Sequence, residues 1–307
     1  MKSFYKVCAK VALGLIGIGI ILTIIGITSG ASWYSLNVGP FRIHDRIINR
    51  DNNNNNINDN NSNNSSDSLK ETYSGVKSVD IDIHYGEVLI KKGEEFAIES
   101  KNISRNNLKS YMDGDTWRVE DKSNYNINFF GIHIGNDGID INNRKSSITI
   151  FIPENFNGEK INISLGAGEI EIDEISGDEV TFDVGAGRMQ VNKLVAYKEA
   201  DLTVGAGKIN IDNIQAEETD IECGMGNITI KGVIAGDSNV ECGVGQISMY
   251  LDGQEEDYNY YIDSGVGNVI INDDEYTFTS STKKVNDNAE FDFNINCGVG
   301  NVTIKVD

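Results

Sequence analysis

Three of the four cysteines in this 307-residue chain occupy one position of a recurring pattern: Cys223, Cys242 and Cys297 each stand immediately before a Gly-x-Gly triplet. A thiol can serve as a nucleophile, a soft-metal ligand or half of a disulfide. In the other copies the same position holds Leu165, Val184, Val204 or Ser264, so the register places the thiols among small buried hydrophobes. Cys223 and Cys242 are one copy apart, which makes a disulfide conceivable, but in-register parallel neighbours rarely offer the Cβ geometry it needs. Free thiols are expected, and their odd number suits a structural role better than a disulfide framework.

A second set with chemical potential is acidic. Asp183, Glu222, Glu241 and Asp263 take the outward position just ahead of that inward residue, and stacked copies would form a carboxylate ladder of the kind that holds Ca²⁺. Thr203 interrupts the ladder, and Glu169, Arg188, Lys208 or Asn227 follow the triplets where a calcium-binding β-roll would continue its glycine-aspartate nonapeptide. The reading is a solvated acidic face, with no metal ligand nominated. The triplets themselves could be mistaken for phosphate cradles, but an anion site needs a helix after the glycines and a strand follows here. His44, His84 and His133 lie in separate segments, and neither a Gly-x-Ser-x-Gly elbow nor a His-Glu-x-x-His pair occurs. No catalytic or cofactor-binding residue is therefore nominated, no cofactor is implied, and a non-enzyme is expected. A solenoid-type polysaccharide-acting enzyme would require converging charged residues near the insertion at 122–145.

The elements that position these residues form a repeat. Triplets start at Gly166, Gly185, Gly205, Gly224, Gly243, Gly265 and Gly298, at intervals of 19, 20, 19, 19, 22 and 33 residues, the rhythm of a stacked solenoid. Strict alternation follows each one, as in Ile209/Ile211 and Ile228/Ile230, and precedes each one, as in Val180/Phe182/Val184. Inward parity changes across every triplet, from Val204 to Ile209. Such a slip requires a bend or bulge, and glycine is expected there for its freedom to take φ > 0. Polar turns such as Ser176-Gly177-Asp178 and Gly236-Asp237-Ser238 are expected at the opposite corner. Stacking then aligns Ile170, Met189, Ile209, Ile228, Ile247, Val269 and Val302 in one interior column.

Residues 75–165 repeat the scheme in degenerate form. Val79/Ile81/Ile83 lead to Tyr85-Gly86 in place of a triplet, Asp113-Gly114 signals a hairpin before Trp117, and Pro153 marks a strand end or edge. This part is expected to cap the stack and hide its edge. Insertions at 122–145 and 273–288 break the regularity and are where specific features are expected.

The N-terminus differs in kind. Val11 to Ile27 is an unbroken apolar run preceded by Lys2, Lys6 and Lys10 and flanked by Phe4/Tyr5 and Trp33/Tyr34, which reads as a single membrane-spanning helix with its N-terminus inside. Ser29-Gly30-Ala31 leaves open the alternative of a cleaved signal peptide; Val7 before Cys8 sets a lipoprotein aside. Arg42, Arg46 and Arg50 fall on one helical stripe, read as an ordinary juxtamembrane stalk in preference to a headgroup-binding helix. The asparagine-rich tract 52–68 is a flexible tether. With 47 Asp+Glu against 26 Lys+Arg the net charge is −21, which repels phosphate backbones and excludes nucleic acid as a partner.

Taken together, "VDIDIHYGEVLIKKGEEFAIES", "SSITIFIPENF", "ISLGAGEIEIDEI", "FDVGAGRMQVNKL", "LTVGAGKINIDNI" and "CGVGNVTIKVD" resemble the bacterial putative-adhesin family of β-strand repeat proteins of unknown function. The resemblance implies an all-β repeat domain related to extracytoplasmic domains of envelope-stress proteins, and it carries no site residues. The expected layout is a membrane anchor at 1–34, a juxtamembrane segment and tether at 35–74, N-terminal coils and cap at 75–165, and a parallel β-solenoid at 166–307. The expected role is a non-catalytic interaction or sensing module of the bacterial cell envelope, held in the cell membrane with its C-terminal domain outside. Its partner is expected to be an envelope protein or cell-wall polymer. A surface adhesin binding glycan or protein is the alternative.

Overall fold

The computed structural model describes residues 69–103, 107–121, 147–277 and 289–307, with the backbone of the short strands Ile127–Phe129, Ile132–Ile134 and Lys283–Lys284. The expected anchor, arginine stripe and tether lie outside the described residues, as does most of the 122–145 insertion. Among the described residues the only helical element is the 3₁₀ turn Glu255–Asp257, and no helix is long and apolar enough to cross a membrane. The fold is all-β and solenoid-like, with its long strands joined in one 18-stranded sheet.

Parallel in-register pairing builds the stack. Met189 faces Ile170 on one side and Ile209 on the other; Ile209 faces Ile228, and Ile228 faces Ile247. These side chains are fully buried, and so are Val269 and Val302. Each contributes about 1.5–3 kcal/mol only because the next rung covers it. The opposite corner differs from the expected turn at Ser176-Gly177-Asp178: the strand Gly158–Val184 runs straight through it, and Arg188–Val204 does the same with a register shift between Ala196 and Glu199. The ladder continues around the bend there because both neighbouring rungs bend in parallel and keep each backbone group paired. At Gly236-Asp237 the chain does leave the ladder, between the strands Asn227–Ile234 and Ser238–Cys242.

The reason for glycine at the triplets is corrected. Only Gly168 among the triplet glycines has φ in the left-handed region, at 112°. The requirement is instead proximity between rungs. A Cβ on Gly185 would lie 2.8 Å from the Gly166 carbonyl oxygen, and one on Gly224 2.9 Å from that of Gly205. At the third triplet position the conflict is worse: a Cβ on Gly226 would fall inside contact distance of both the Gly207 carbonyl oxygen and Val204 Cγ1. The inward residue of one rung thus packs under the last glycine of the next.

Both ends of the stack depart from chain order. The strand Phe291–Cys297 pairs with Ser238–Cys242 on one side and Tyr258–Ser264 on the other, and Asn301–Val306 lies likewise between Gln246–Leu251 and Asn268–Ile271. The Gly298 rung therefore sits inside the Gly265 rung, and the interior column runs Ile247, Val302, Val269. At the other end Ser78–Gly93 lies between Gly158–Val184 and an outermost rung made of Thr116–Asp121 and Ser147–Pro153. Antiparallel strands then cover the outer edges. Phe96–Lys101 and Leu108–Asp113 do so at the first end, with Gly114 at φ 66° in the Asp113-Gly114 hairpin; Asp274–Thr277 and Lys283–Lys284 do so at the second.

Candidate functional site

Three features follow from the register. The first is the face formed by the strands that precede the triplets. Its outward column runs Asp183, Thr203, Glu222, Glu241, Asn296, Asp263, so the expected ladder forms but is broken twice, the second time by the inserted rung. A parallel column holds Asp201, Asp220, Asn239, Asn294 and Tyr261. Asn294 Nδ2 donates to Asn239 Oδ1 at 3.1 Å and Asn239 Nδ2 to Asp220 Oδ1 at 2.7 Å. Between the two columns lies an open groove of about 410 Å³, flanked by Asp220, Glu222, Glu241, Tyr261, Asp263 and Asn296.

Carboxylates converge further along this face, at positions the sequence reading did not single out. Glu199, Asp201 and Asp220 bring one oxygen each within 4.8 Å of one another. Repulsion from Asp201 pushes the Glu199 carboxyl up from its ordinary range; burial, then repulsion from Asp220, does the same to Asp201. Burial likewise raises Asp82 and Asp183. The cluster follows from the same register as the outer column: Asp201 and Asp220 hold equivalent positions before their triplets and are register partners, and Glu199 shares their face one pleat before Asp201. The opposite pattern holds at the N-terminal end, where Lys193 at 2.8 Å and Lys92 at 2.7 Å hold Glu174 below its usual range.

The second feature is an apolar ridge along the triplet corner. The middle triplet residues Met225, Val244, Val299 and Val266 occupy successive rungs and are 40%, 57%, 59% and 45% exposed. Each donates its backbone N–H to the first glycine of the preceding rung, as Val299 does to Gly243 at 2.7 Å.

The third is the thiol column. Cys223 pairs with Cys242, Cys242 with Cys297, and Cys297 with Ser264. All three cysteines are buried free thiols, as the repeat register implies. Cys242 and Cys297 donate to the third-glycine carbonyls Gly245 and Gly300 at 3.3 and 3.1 Å, and Ser264 does so to Gly267 at 2.7 Å.

Of the three histidines, His84 is described, and it is exposed on the Gly86 rung; His44 and His133 lie outside the residues whose side chains are described.

A stack of parallel rungs with an acidic, grooved face and an exposed apolar corner defines an all-β repeat domain. The chain belongs to the Toastrack DUF4097 family, whose sequence profile matches residues 76–303. Solved structures similar to it include a putative lipid binding protein from Parabacteroides distasonis (14% identity, TM-score 0.44, covering 80% of this chain and 98% of that one). Another is a putative adhesin from Bacteroides fragilis (12%, 0.36, 78% and 97%). A third is a putative cell adhesion protein from Clostridium sporogenes (14%, 0.28, 79% and 100%). No curated protein matches the chain.

Proposed function

We propose that this chain is a non-catalytic interaction module of the bacterial cell envelope, held in the membrane by Val11–Ile27 and reaching its partner across the tether with the face that precedes the triplets. The observation that carries this reading is the groove bounded by Asp220, Glu222, Glu241 and Asp263 beside Tyr261 and an amide ladder. The repeat holds it on a rigid sheet, so a partner binds without ordering the site first. A surface adhesin is the second reading, favoured by the exposed ridge Met225–Val244–Val299–Val266 alongside that face.

Full-length protein in nanodiscs, with and without Asp220→Asn, Glu222→Gln, Glu241→Gln and Asp263→Asn together, would be tested against cell-wall polymers and against detergent-solubilised envelope proteins. Binding to either that the fourfold variant loses supports the groove as the contact surface. Binding that survives neutralisation removes it. Protease added to intact cells is expected to digest the repeat domain; protection until lysis would overturn the orientation.

A further inference from the structure

We propose that Cys223, Cys242 and Cys297 form an oxidation site in which Cys242 makes a disulfide with either neighbour and the outer two never pair with each other. The inserted Gly298 rung creates it: in chain order the rung after Cys242 would bring Ser264, whereas the observed register brings Cys297. Three thiols are thereby stacked on consecutive rungs, the central one a register partner of both others.

Geometry selects the pairs. Neighbouring rungs lie about 4.8 Å apart, inside the ~4.4–6.8 Å Cα window of a disulfide. Cys223 and Cys297, two rungs apart at roughly 9.6 Å by the same spacing, lie beyond the ~7 Å limit. Parallel neighbours point their Cβ atoms the same way, so the bond forms only with a local twist, which makes it strained and readily reduced. The sulfurs also stand in a row, the arrangement an exchange reaction needs: the free outer thiolate attacks Cys242 and releases the other outer thiol, so the disulfide can pass along the column. Proximity to Cys242 lowers the pKa of the two outer thiols, while the two neighbours and burial raise that of Cys242 itself.

Glycine backbone packs directly on the sulfurs. A Cβ on Gly245 would lie 2.6 Å from Cys223 Sγ, one on Gly300 2.6 Å from Cys242 Sγ, and one on Gly267 2.5 Å from Cys297 Sγ; at each triplet, glycine backbone lies against the thiol where any other residue would place a side chain. The oxidant is a small diffusible thiol oxidant. With diamide, two S–H bonds break, one S–S bond forms, and the azo group takes up both protons and both electrons to become the hydrazine.

The test uses full-length Cys8→Ser protein in nanodiscs, treated with diamide, then denatured, alkylated and mapped by peptide mass. The expected product has lost two hydrogens, with Cys242 in every disulfide and one alkylated thiol divided between Cys223 and Cys297. Cys223→Ser should leave only Cys242–Cys297, and Cys297→Ser only Cys223–Cys242. Cys242→Ser, if its circular dichroism matches the parent, should remain fully alkylatable; if it does not fold, the two outer variants decide. Three free thiols after a treatment that oxidises the denatured chain, a Cys223–Cys297 bond, or an intermolecular disulfide would each overturn the proposal.

Discussion

The central rungs, from Gly166 to Gly243, and the two ends obey the same local rules and differ in order. In the centre each rung rests on its predecessor in the chain, Met189 on Ile170 and Ile209 on Met189. At the ends the first and last rungs are tucked one place inward, with Ser78–Gly93 beneath Thr116–Asp121 and Ser147–Pro153, and Phe291–Val306 beneath Tyr258–Ile271. The glycine contacts are the same in both places: a Cβ on Gly298 would meet the Gly243 carbonyl oxygen at 3.0 Å, much as one on Gly243 would meet that of Gly224 at 2.9 Å. Rung shape is thus set by the triplet and alternation, while rung order is set by the connections between rungs. Tucking the terminal rungs inward leaves neither chain end as an open parallel edge, the position most prone to fraying and to recruiting foreign strands.

The largest expected contrast is between a charge in the centre and one at the end. Ile211→Asp, at a fully buried position flanked by rungs on both sides, is expected to cost upwards of about 4 kcal/mol and abolish the cooperative urea transition. Ile271→Asp, on the outermost rung against the exposed hairpin at Asp274, should retain a cooperative transition at lower urea; equal loss in both would erase the distinction.

Next in size, Gly226→Ala drives a methyl into the Gly207 carbonyl and Val204 and should cost about 2–3 kcal/mol. Gly253→Ala, whose nearest neighbour is the Tyr258 hydroxyl at 3.4 Å, should stay within about 0.5 kcal/mol. Chemical denaturation measures both.

A smaller gain is expected at the C-terminal end. The Tyr260 hydroxyl is fully buried and has no partner among the described residues. Tyr260→Phe removes that uncompensated group while keeping the edge-on contact with Phe293 at 5.9 Å, so stability should rise by about 1 kcal/mol.

The smallest effect concerns pH. Glu199 and Asp201 are raised in the folded state, so their charged forms oppose folding at neutral pH, and that opposition fades as pH falls toward their folded pKa values. Asp201→Asn should therefore stabilise by a few tenths of a kcal/mol near pH 7 and low salt, with the gain gone below the unfolded aspartate range near ~4. Glu174, held low by Lys193 and Lys92, behaves oppositely: its contribution is present above the unfolded glutamate pKa and lost as pH drops through the folded one. A gain for Asp201→Asn that grows on acidification would reverse the sign assigned to the acidic face.

Much of the rung was legible in the sequence because alternation is a local signal. The inward sets Val204, Ile209 and Ile211, the thiol register and the Asp113-Gly114 hairpin all follow from residue spacing. The reason for glycine was not, since the backbone of another rung, about twenty residues away, imposes it. Rung order was hidden for a related cause. The Gly265 and Gly298 copies both read Gly-Val-Gly-Asn-Val, so either could pair with the Gly243 rung, and residue spacing alone does not decide between them. The acidic cluster at Glu199, Asp201 and Asp220 was within reach of the same spacing, since Asp201 and Asp220 hold equivalent positions before their triplets and Glu199 alternates onto their face.

Rung order can be measured directly with paired cysteines at exposed outward positions, in a background where Cys8, Cys223, Cys242 and Cys297 are serine, and a bifunctional thiol reagent of roughly 5 Å reach, one rung spacing. Glu241→Cys with Asn296→Cys and Asn296→Cys with Asp263→Cys should cross-link efficiently, because these positions are register partners. Glu241→Cys with Asp263→Cys should not. Cross-linking of that last pair in place of the first would mean that the rungs stack in chain order and that the last rung lies on the outside.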